Sequence, residues 1–198
     1  MKKIETIWRE ILYQTLEKKN FQFTQQEIGA KFGFSTSTVF QSLKVPRQMG
    51  AVRVTGRFFV LEDPEKLLFY WASVRNLSKD ILWETEINLP LQEIENQMPP
   101  DIVYGCYTAA NRFLNLAPAD YAKVYVYTSN LDSVKNRFAG ATNKNWPNLT
   151  VLKADPWLNK YGQTTSLAQT FVDLWNLGDW QAKEYGKALQ EKINGLLP

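Results

Sequence analysis

The chain has 198 residues, of which 44% are hydrophobic and 22% charged, and its formal net charge is +3. This composition is typical of a globular protein with one or two domains, and no apolar run approaches the ~20 residues that a membrane-spanning helix needs. One cysteine and no histidine exclude an internal disulfide, a multi-cysteine or histidine-ligated metal site, and Ser-His-Asp or Cys-His catalysis. The N-terminus lacks a signal-peptide pattern, so we expect a cytoplasmic protein with no membrane partner.

Three helices are predicted in the first part of the chain. Apolar residues at helical spacing indicate the first helix within residues 1–19. Thr24 and Glu27 form the pattern of a capping box at the start of the second. Gly33 ends that helix, because glycine adopts the left-handed conformation without steric cost. Ser35 can cap the third helix, so the segment is predicted to be a helix-turn-helix.

The third helix is predicted to bury Val39 and Leu43 and to expose small hydroxyls, an amide and a cation on its opposite side. Such groups suit phosphates and the edges of bases. Pro46 lacks the amide that a helix interior needs. The helix is therefore expected to end near Lys44 or Val45, or to kink there.

A hairpin, or wing, is predicted next. Residues 52–54 form one strand, Thr55-Gly56 supplies a tight turn, and residues 57–61 return as the second strand. Arg53 and Arg57 lie near the tip, where they can reach phosphates or a minor groove.

These elements together predict a winged helix-turn-helix that binds double-stranded DNA. Residues 1–61 contain ten Lys or Arg and four Asp or Glu, a net charge of +6, whereas residues 62–198 contain thirteen and sixteen, a net charge of −3. The predicted DNA-contacting residues are Ser35, Thr36, Ser37, Thr38, Gln41, Lys44, Arg47, Arg53 and Arg57. Two alternatives remain open: a winged domain that serves as a protein-interaction module, and a basic face that is merely solvated.

A long apolar helix is predicted after the wing. Asp63 as cap and Pro64 at the first helical position start it, and it continues to about Leu77. Its apolar residues cover most of its circumference, which is typical of a helix buried between layers. We expect it to join two domains through the core, and a dimerisation surface is the alternative.

The rest of the chain predicts a mixed α+β domain. Extended chain is expected after residue 80. The elements predicted beyond it are a short helix at 91–98, a helix at 101–114, a strand at 123–129, a short helix and a loop within 130–147, a strand at 148–155, a helix at 164–177 that Gly178 ends, and a helix at 180–193. The helix at 101–114 is expected to pack Tyr104 inward, and the helix at 164–177 is expected to pack Trp175 inward.

No pattern of catalytic residues emerges. Neither a GxxxxGK[ST] loop nor a GxGxxG motif occurs. The carboxylates of the second half are widely scattered: Asp101, Asp120, Asp132, Asp155, Asp173 and Asp179. We therefore expect no enzymatic activity, no metal and no cofactor, with a carboxylate-metal nuclease as the alternative. Cys106 is expected to be a small buried residue, and the tryptophans and tyrosines are expected to lie mostly in the core.

Two segments carry a resemblance to a known family. The tail at 166–189, SLAQTFVDLWNLGDWQAKEYGKAL, has an apolar helix with an Asp-Leu pair, a glycine-containing turn and an Ala/Leu-rich helix. The segment YGCYTAANRF at 104–113 opens a helix with Tyr-Gly and small residues. With the predicted N-terminal winged helix, these features resemble the winged-helix antitoxins of the AbiEi type, regulators from type IV toxin–antitoxin systems.

The resemblance implies a repressor that binds operator DNA through the winged helix, and a C-terminal domain that neutralises a nucleotidyltransferase-like toxin. The sequence as a whole predicts an α+β protein with a winged helix-turn-helix at 1–61, a connecting helix at 62–79 and a mixed α+β C-terminal domain at 80–198. Its predicted function is that of a DNA-binding transcriptional regulator. A toxin partner, a stand-alone regulator and a homodimer all remain open.

Overall fold

The computed structural model describes residues 1–139, 142–143 and 146–197. Within these residues the protein is α+β, with nine α-helices and two β-sheets. Part of the loop predicted within 130–147 therefore lies outside the described residues.

The first half contains three helices and a small sheet. The elements are α1 (Lys3–Lys18), β1 (Gln22–Phe23), α2 (Gln25–Phe32), α3 (Thr36–Gln48), β2 (Val52–Val54) and β3 (Phe59–Leu61). The strands form an antiparallel sheet in the order β1-β3-β2. Ile7 and Ile11 of α1, Leu43 of α3 and Phe59 of β3 are fully buried in one core.

The local signals at the helix ends are confirmed. The Glu27 amide donates to the Thr24 hydroxyl and the Thr24 amide donates to the Glu27 carboxylate, each at 3.1 Å. Gly33 has a φ of 67°, in the left-handed region. The Ser35 hydroxyl accepts the Thr38 amide of α3 at 3.2 Å. Short-range hydrogen bonding thus defines the turn between α2 and α3.

The third helix does not end near Lys44 or Val45, because α3 continues through Pro46 to Gln48. Proline has no amide to donate to the carbonyl of Ser42, four residues earlier. That carbonyl instead accepts the indole N–H of Trp8 on α1 at 2.8 Å. The buried acceptor is therefore satisfied from a neighbouring helix, and α3 gains an extra turn.

The return strand of the hairpin begins at Phe59, two residues later than predicted. The amide and the hydroxyl of Thr55 both donate to the carbonyl of Phe58, each at 2.8 Å. These bonds close a loop that includes Arg57, and so residues 57 and 58 belong to the turn.

The second half surrounds a five-stranded sheet. Its elements are α4 (Pro64–Val74), a 3-10 helix (Leu77–Asp80), β4 (Ile81–Ile87), α5 (Leu91–Asn96), β5 (Val103–Tyr104), α6 (Cys106–Phe113), β6 (Val124–Thr128), α7 (Leu131–Arg137), β7 (Thr142–Asn143), β8 (Leu149–Lys153), a 3-10 helix (Leu158–Tyr161), α8 (Leu167–Trp175) and α9 (Trp180–Leu196). The strand order is β5-β6-β8-β4-β7, in which β6 and β8 are parallel and the other pairs antiparallel.

Helices cover this sheet on both faces. Every residue of β6 is buried. Val124 and Val126 belong to a core cluster with Ile94 of α5 and Val134 of α7. The alternate residue Tyr127 points into the other cluster, with α6 and α8. Because side chains alternate along a strand, β6 lies in the middle layer of three.

Among the boundaries in this half that differ from the predictions, three can be traced to specific residues. α4 ends at Val74, because Arg75 is extended and directs its guanidinium into the interior. Tyr104 is not helical but pairs with Val126 in the sheet. α8 ends at Trp175, before Gly178; the Asn176 side chain donates to the carbonyls of Val172 (3.0 Å) and Ala72 (3.2 Å) there.

The core is continuous between the two halves. The larger cluster of buried apolar residues includes Ile7 and Leu43 from the first half and Trp71, Phe171 and Leu189 from the second. α4 lies inside this core, in contact with α1, α3 and α8. The division at residues 61 and 79 into domains stays a prediction.

A buried ion pair also joins the halves. Arg9 of α1 makes a bidentate contact with Asp155, at 2.6 and 2.8 Å. Burial opposes the charge of Asp155, but the bond from the guanidinium outweighs this effect and lowers the pKa of the carboxyl below its ordinary value. The ionised form of this carboxyl group is thus favoured more strongly in the folded protein than in the unfolded chain.

We expect Trp8→Phe to lower the free energy of unfolding by about 1–3 kcal/mol, because the buried Ser42 carbonyl loses its donor. In a Pro46→Ala background the new amide of residue 46 can donate to that carbonyl, so the same change should be milder by about 1 kcal/mol. Urea unfolding of the four proteins in this double-mutant cycle measures the difference. Equal losses in both backgrounds would show that Trp8 acts only through packing.

We expect Asp155→Asn to lower the free energy of unfolding at pH 7 by about 3–5 kcal/mol, because it leaves Arg9 buried without its counter-charge. A carboxyl whose folded pKa is depressed contributes stability above its unfolded pKa, and this is lost as pH falls through the folded pKa. The difference from the parent protein should therefore shrink below about pH 4. Denaturant titrations from pH 7 to pH 3 test this, with the exposed Asp101→Asn as the control. A pH-independent difference would contradict it.

Candidate nucleic-acid interface

One side of α3 packs into the core and the other is exposed. Val39, Ser42, Leu43 and Pro46 are buried. The residues exposed on the opposite side are Thr36, Ser37, Phe40, Gln41, Lys44, Arg47 and Gln48. These spacings of three and four residues form a continuous helix face. Five of the nine predicted contact residues therefore share one surface, which we call the α3 face.

The hydroxyls at the start of α3 form a small cluster. The Ser35 oxygen lies 2.8 Å from the Ser37 hydroxyl and 2.9 Å from the Thr38 hydroxyl. It also caps the helix through the Thr38 amide. Ser35 and Thr38 therefore support the turn, whereas Thr36 and Ser37 are exposed at its edge.

A groove connects the start of α3 with the hairpin. It has a volume of about 370 Å³ and is lined by the start of α2, by Thr36 and by the loop from Val54 to Phe58. Arg57 and Thr36 therefore line one groove, although they are distant in the sequence. Gln25 and Gln26 of α2 line the same groove and were not predicted as site residues. The pattern Thr24-Gln-Gln at a helix start was the available signal.

A second, shallower hollow lies farther along α3. Phe40, Lys44, Arg47 and Gln48 line its volume of about 350 Å³. Phe40 is 44% exposed, an unusual position for a phenylalanine beside two cations. The sequence prediction included Lys44 and Arg47 but missed the aromatic ring that lines the same hollow.

The cations of this region differ in their pairing. Residues 28–61 contain five Lys or Arg and no Asp or Glu. Lys31 is 2.6 Å from Glu10 and Arg53 is 2.6 Å from Glu62. Across residues 1–139, 142–143 and 146–197, no carboxylate lies within ion-pair distance of the three predicted cations that remain: Lys44, Arg47 and Arg57. Their charge is therefore available to an external anion.

Arg53 is the predicted contact residue whose environment differs most from the expectation, because it is already paired with a carboxylate. It lies on β2 opposite Val60, so Glu62, two residues farther along, points to the same side of the sheet. Its guanidinium contacts Glu62, and both side chains are largely exposed. Such exposed pairs contribute little to stability, and the contact is readily exchanged for another anion.

The remaining chemical features are few. Cys106 is buried, as predicted, and burial raises the pKa of its thiol well above the ordinary value. Among the described residues, no group of three or more His, Cys, Asp or Glu is placed to hold a metal ion. None of the helices there is both long enough and apolar enough to cross a membrane.

Comparison with known proteins identifies no family. No family model, no curated protein and no solved structure matches the chain. The resemblance to AbiEi-type antitoxins therefore rests on the sequence motifs alone.

Proposed function

We propose that the protein is a DNA-binding transcriptional regulator, a repressor whose first 61 residues act as a winged helix-turn-helix. The observation that carries the proposal is the groove shared by the start of α3 and the hairpin loop, beside an α3 face with unpaired cations. A helix and an arginine-bearing hairpin on one surface can contact a groove and its flanking phosphates together.

Each side chain has a role that its chemistry suggests. Gln41, Thr36 and Ser37 carry the hydrogen-bonding groups that can read base edges in a major groove. Lys44, Arg47 and Arg57 supply phosphate contacts. Arg53 can exchange Glu62 for a phosphate. Ser35 and Thr38 act by holding the turn. Phe40 adds an apolar surface of the kind that contacts thymine methyl groups.

The family resemblance supports a further proposal about the second half. It suggests that residues 80–198 engage a nucleotidyltransferase-like toxin, which would make the protein the antitoxin of a type IV pair. Its support is the tail at 166–189. The order of this tail, an apolar helix, a glycine-containing turn and a second helix, corresponds to α8 and α9. A stand-alone regulator or a homodimer is compatible with the same DNA-binding role.

The arginines of the hairpin provide the first test. We expect Arg57→Ala to weaken binding to all DNA sequences and to lower the slope of log affinity against log salt by about one unit. Arg53→Ala should have a smaller effect because Glu62 already neutralises part of its charge. Binding to the protein's own upstream region and to random DNA, measured by fluorescence anisotropy from low salt to about 150 mM, gives both quantities.

Two control variants sharpen this experiment. Lys135→Ala removes an exposed cation from α7, on the five-stranded sheet, and should leave the salt slope unchanged. Glu62→Gln should strengthen DNA binding by freeing Arg53. If the Arg57 and Lys135 variants behave alike, the hairpin is not part of an interface.

Gln41→Ala provides the second test. An amide that reads a base contributes to specificity, so we expect the loss to be roughly ten- to hundredfold on the preferred sequence and much smaller on random DNA. Competition assays with the two DNAs measure the ratio. Equal losses on both would refute base reading by Gln41. Binding that is weak, equal on both DNAs and abolished at physiological salt would favour a protein-interaction module instead.

A further inference from the structure

A larger pocket lies between α8 and α9, outside the proposed DNA interface. We call it the α8–α9 pocket. Its volume is about 560 Å³, within the range of roughly 300–1,000 Å³ that is common for small-molecule sites. Phe171, Leu174 and Ala182 line it and are almost fully buried. Its inner wall is therefore apolar and held by the core.

Two tryptophans line the outer part of the pocket. Trp175 is 54% exposed and Trp180 is 64% exposed. Edge contacts with Phe69 (5.4 Å) and a tilted contact with Phe171 (5.9 Å) hold the ring of Trp175 in place. The sequence pattern predicted that Trp175 would pack inward, so its exposure is unexpected. Two exposed indoles beside an apolar wall offer flat surfaces for stacking.

A helical glycine keeps the pocket open. Gly186 lies inside α9, where glycine is less favourable than alanine by about 1 kcal/mol. A Cβ at this position would meet no neighbouring atom within 4 Å, so close packing does not require the glycine. Gly186 lines the pocket, and a larger side chain there would project into the space.

The charged groups at the pocket favour an anion. Lys183 and Lys187, one helical turn apart on α9, both line it and are exposed. Lys187 contacts Glu184 at 2.7 Å, but such exposed pairs are weak. The carboxylate in the lining, Asp179, already accepts the Tyr107 hydroxyl and the Ala182 amide, the latter at 2.8 Å. Both bonds go to one oxygen of this carboxylate, Oδ1, at the start of α9. The lining thus contains two lysines and one carboxylate, a net charge of +1.

We propose that the α8–α9 pocket binds a small planar aromatic acid. The ring of this ligand stacks on Trp175 and Trp180 against the apolar wall, and its negative group lies beside Lys183 and Lys187. The size of the pocket, its two exposed indoles and the excess of lysine over carboxylate in its lining together specify this class. The inference is independent of DNA binding, because none of these residues belongs to the α3 face or the hairpin.

A pair of fluorescent probes tests the proposal in the absence of DNA. Anilinonaphthalene sulfonate is an aromatic anion, and phenylnaphthylamine is a neutral compound of similar shape. We expect saturable one-to-one binding of the anion by fluorescence and calorimetry, with the neutral probe weaker by roughly three- to tenfold, as two exposed charge contacts imply. Absence of saturable binding, or equal affinity for both probes, would overturn the proposal.

Variants locate the bound probe. Gly186→Leu should lower the affinity for the anion at least tenfold by filling the pocket, and Trp180→Ala changes an exposed side chain and should act in the same direction without loss of folding. Lys183→Gln combined with Lys187→Gln should remove the preference for the anion but leave binding of the neutral probe unchanged. Lys192→Gln, an exposed lysine of α9 outside the lining, is the matched control.

The oligomeric state separates a ligand site from a self-association surface. Sedimentation should give a monomer or an oligomer whose mass is unaffected by Trp175→Ala and Trp180→Ala. An oligomer that these changes dissociate would show that a second copy covers the pocket. That result, or wild-type probe affinity in the Gly186→Leu variant, would refute the proposal.

Discussion

The arrangement of the two halves depends on the contacts of one buried group, the guanidinium of Arg75. It donates to Asp173 of α8 at 3.1 Å, to Asp80 at 2.7 Å and to the Tyr127 hydroxyl of β6 at 3.3 Å, and it lies 3.5 Å from Glu5 of α1. Burial opposes this charge, but the surrounding acids outweigh that effect and raise the pKa of Arg75 above its ordinary value. One permanently charged group thus connects α1, α4, α8 and the sheet. Loss of Arg75 would leave the buried carboxylates around it without their counter-charge.

This network extends to the frame of the proposed DNA interface. Gln169 donates to Asp173 at 3.3 Å and accepts from Arg9 at 3.2 Å, so the Arg75 cluster and the Arg9–Asp155 pair are joined by hydrogen bonds. Close by in sequence, Trp157 makes edge contacts with Phe32 and Phe34, which flank the turn between α2 and α3. The second half therefore packs directly against the turn between α2 and α3. These contacts hold the backbone at the start of α3 in place, which in the proposed interface would favour recognition of a fixed spacing.

The sequence predicted those features that depend on neighbouring residues and missed those that depend on distant ones. The Thr24–Glu27 capping box, the left-handed Gly33 and the helix at 180–193 follow from local chemistry, and the structure confirms them. Pro46 misled the prediction because its compensating donor, Trp8, is 38 positions away in the sequence. Tyr104 has helix-compatible neighbours, but its pairing with β6 depends on tertiary contacts. The groove between α3 and the hairpin could be expected from the sequence only because both of its walls were predicted. For Phe40, the sequence offered no indication of its position except its helical spacing.

The charges of the first half show that a count of Lys, Arg, Asp and Glu does not describe the electrostatic surface of the folded protein. The net charge of +6 over residues 1–61 includes Arg9, whose partner Asp155 comes from the acidic second half. Each half thus uses part of its excess charge to neutralise the other inside the core. Within the first half, Lys31 is matched by Glu10. The positive field that an approaching anion meets is therefore weaker than the count suggests. On the α3 face and the hairpin loop, Lys44, Arg47 and Arg57 keep charges that no carboxylate of the described residues pairs. In the proposed complex with DNA, these cations would set orientation as well as attraction, because a phosphate backbone is drawn to positions where cations are not already paired.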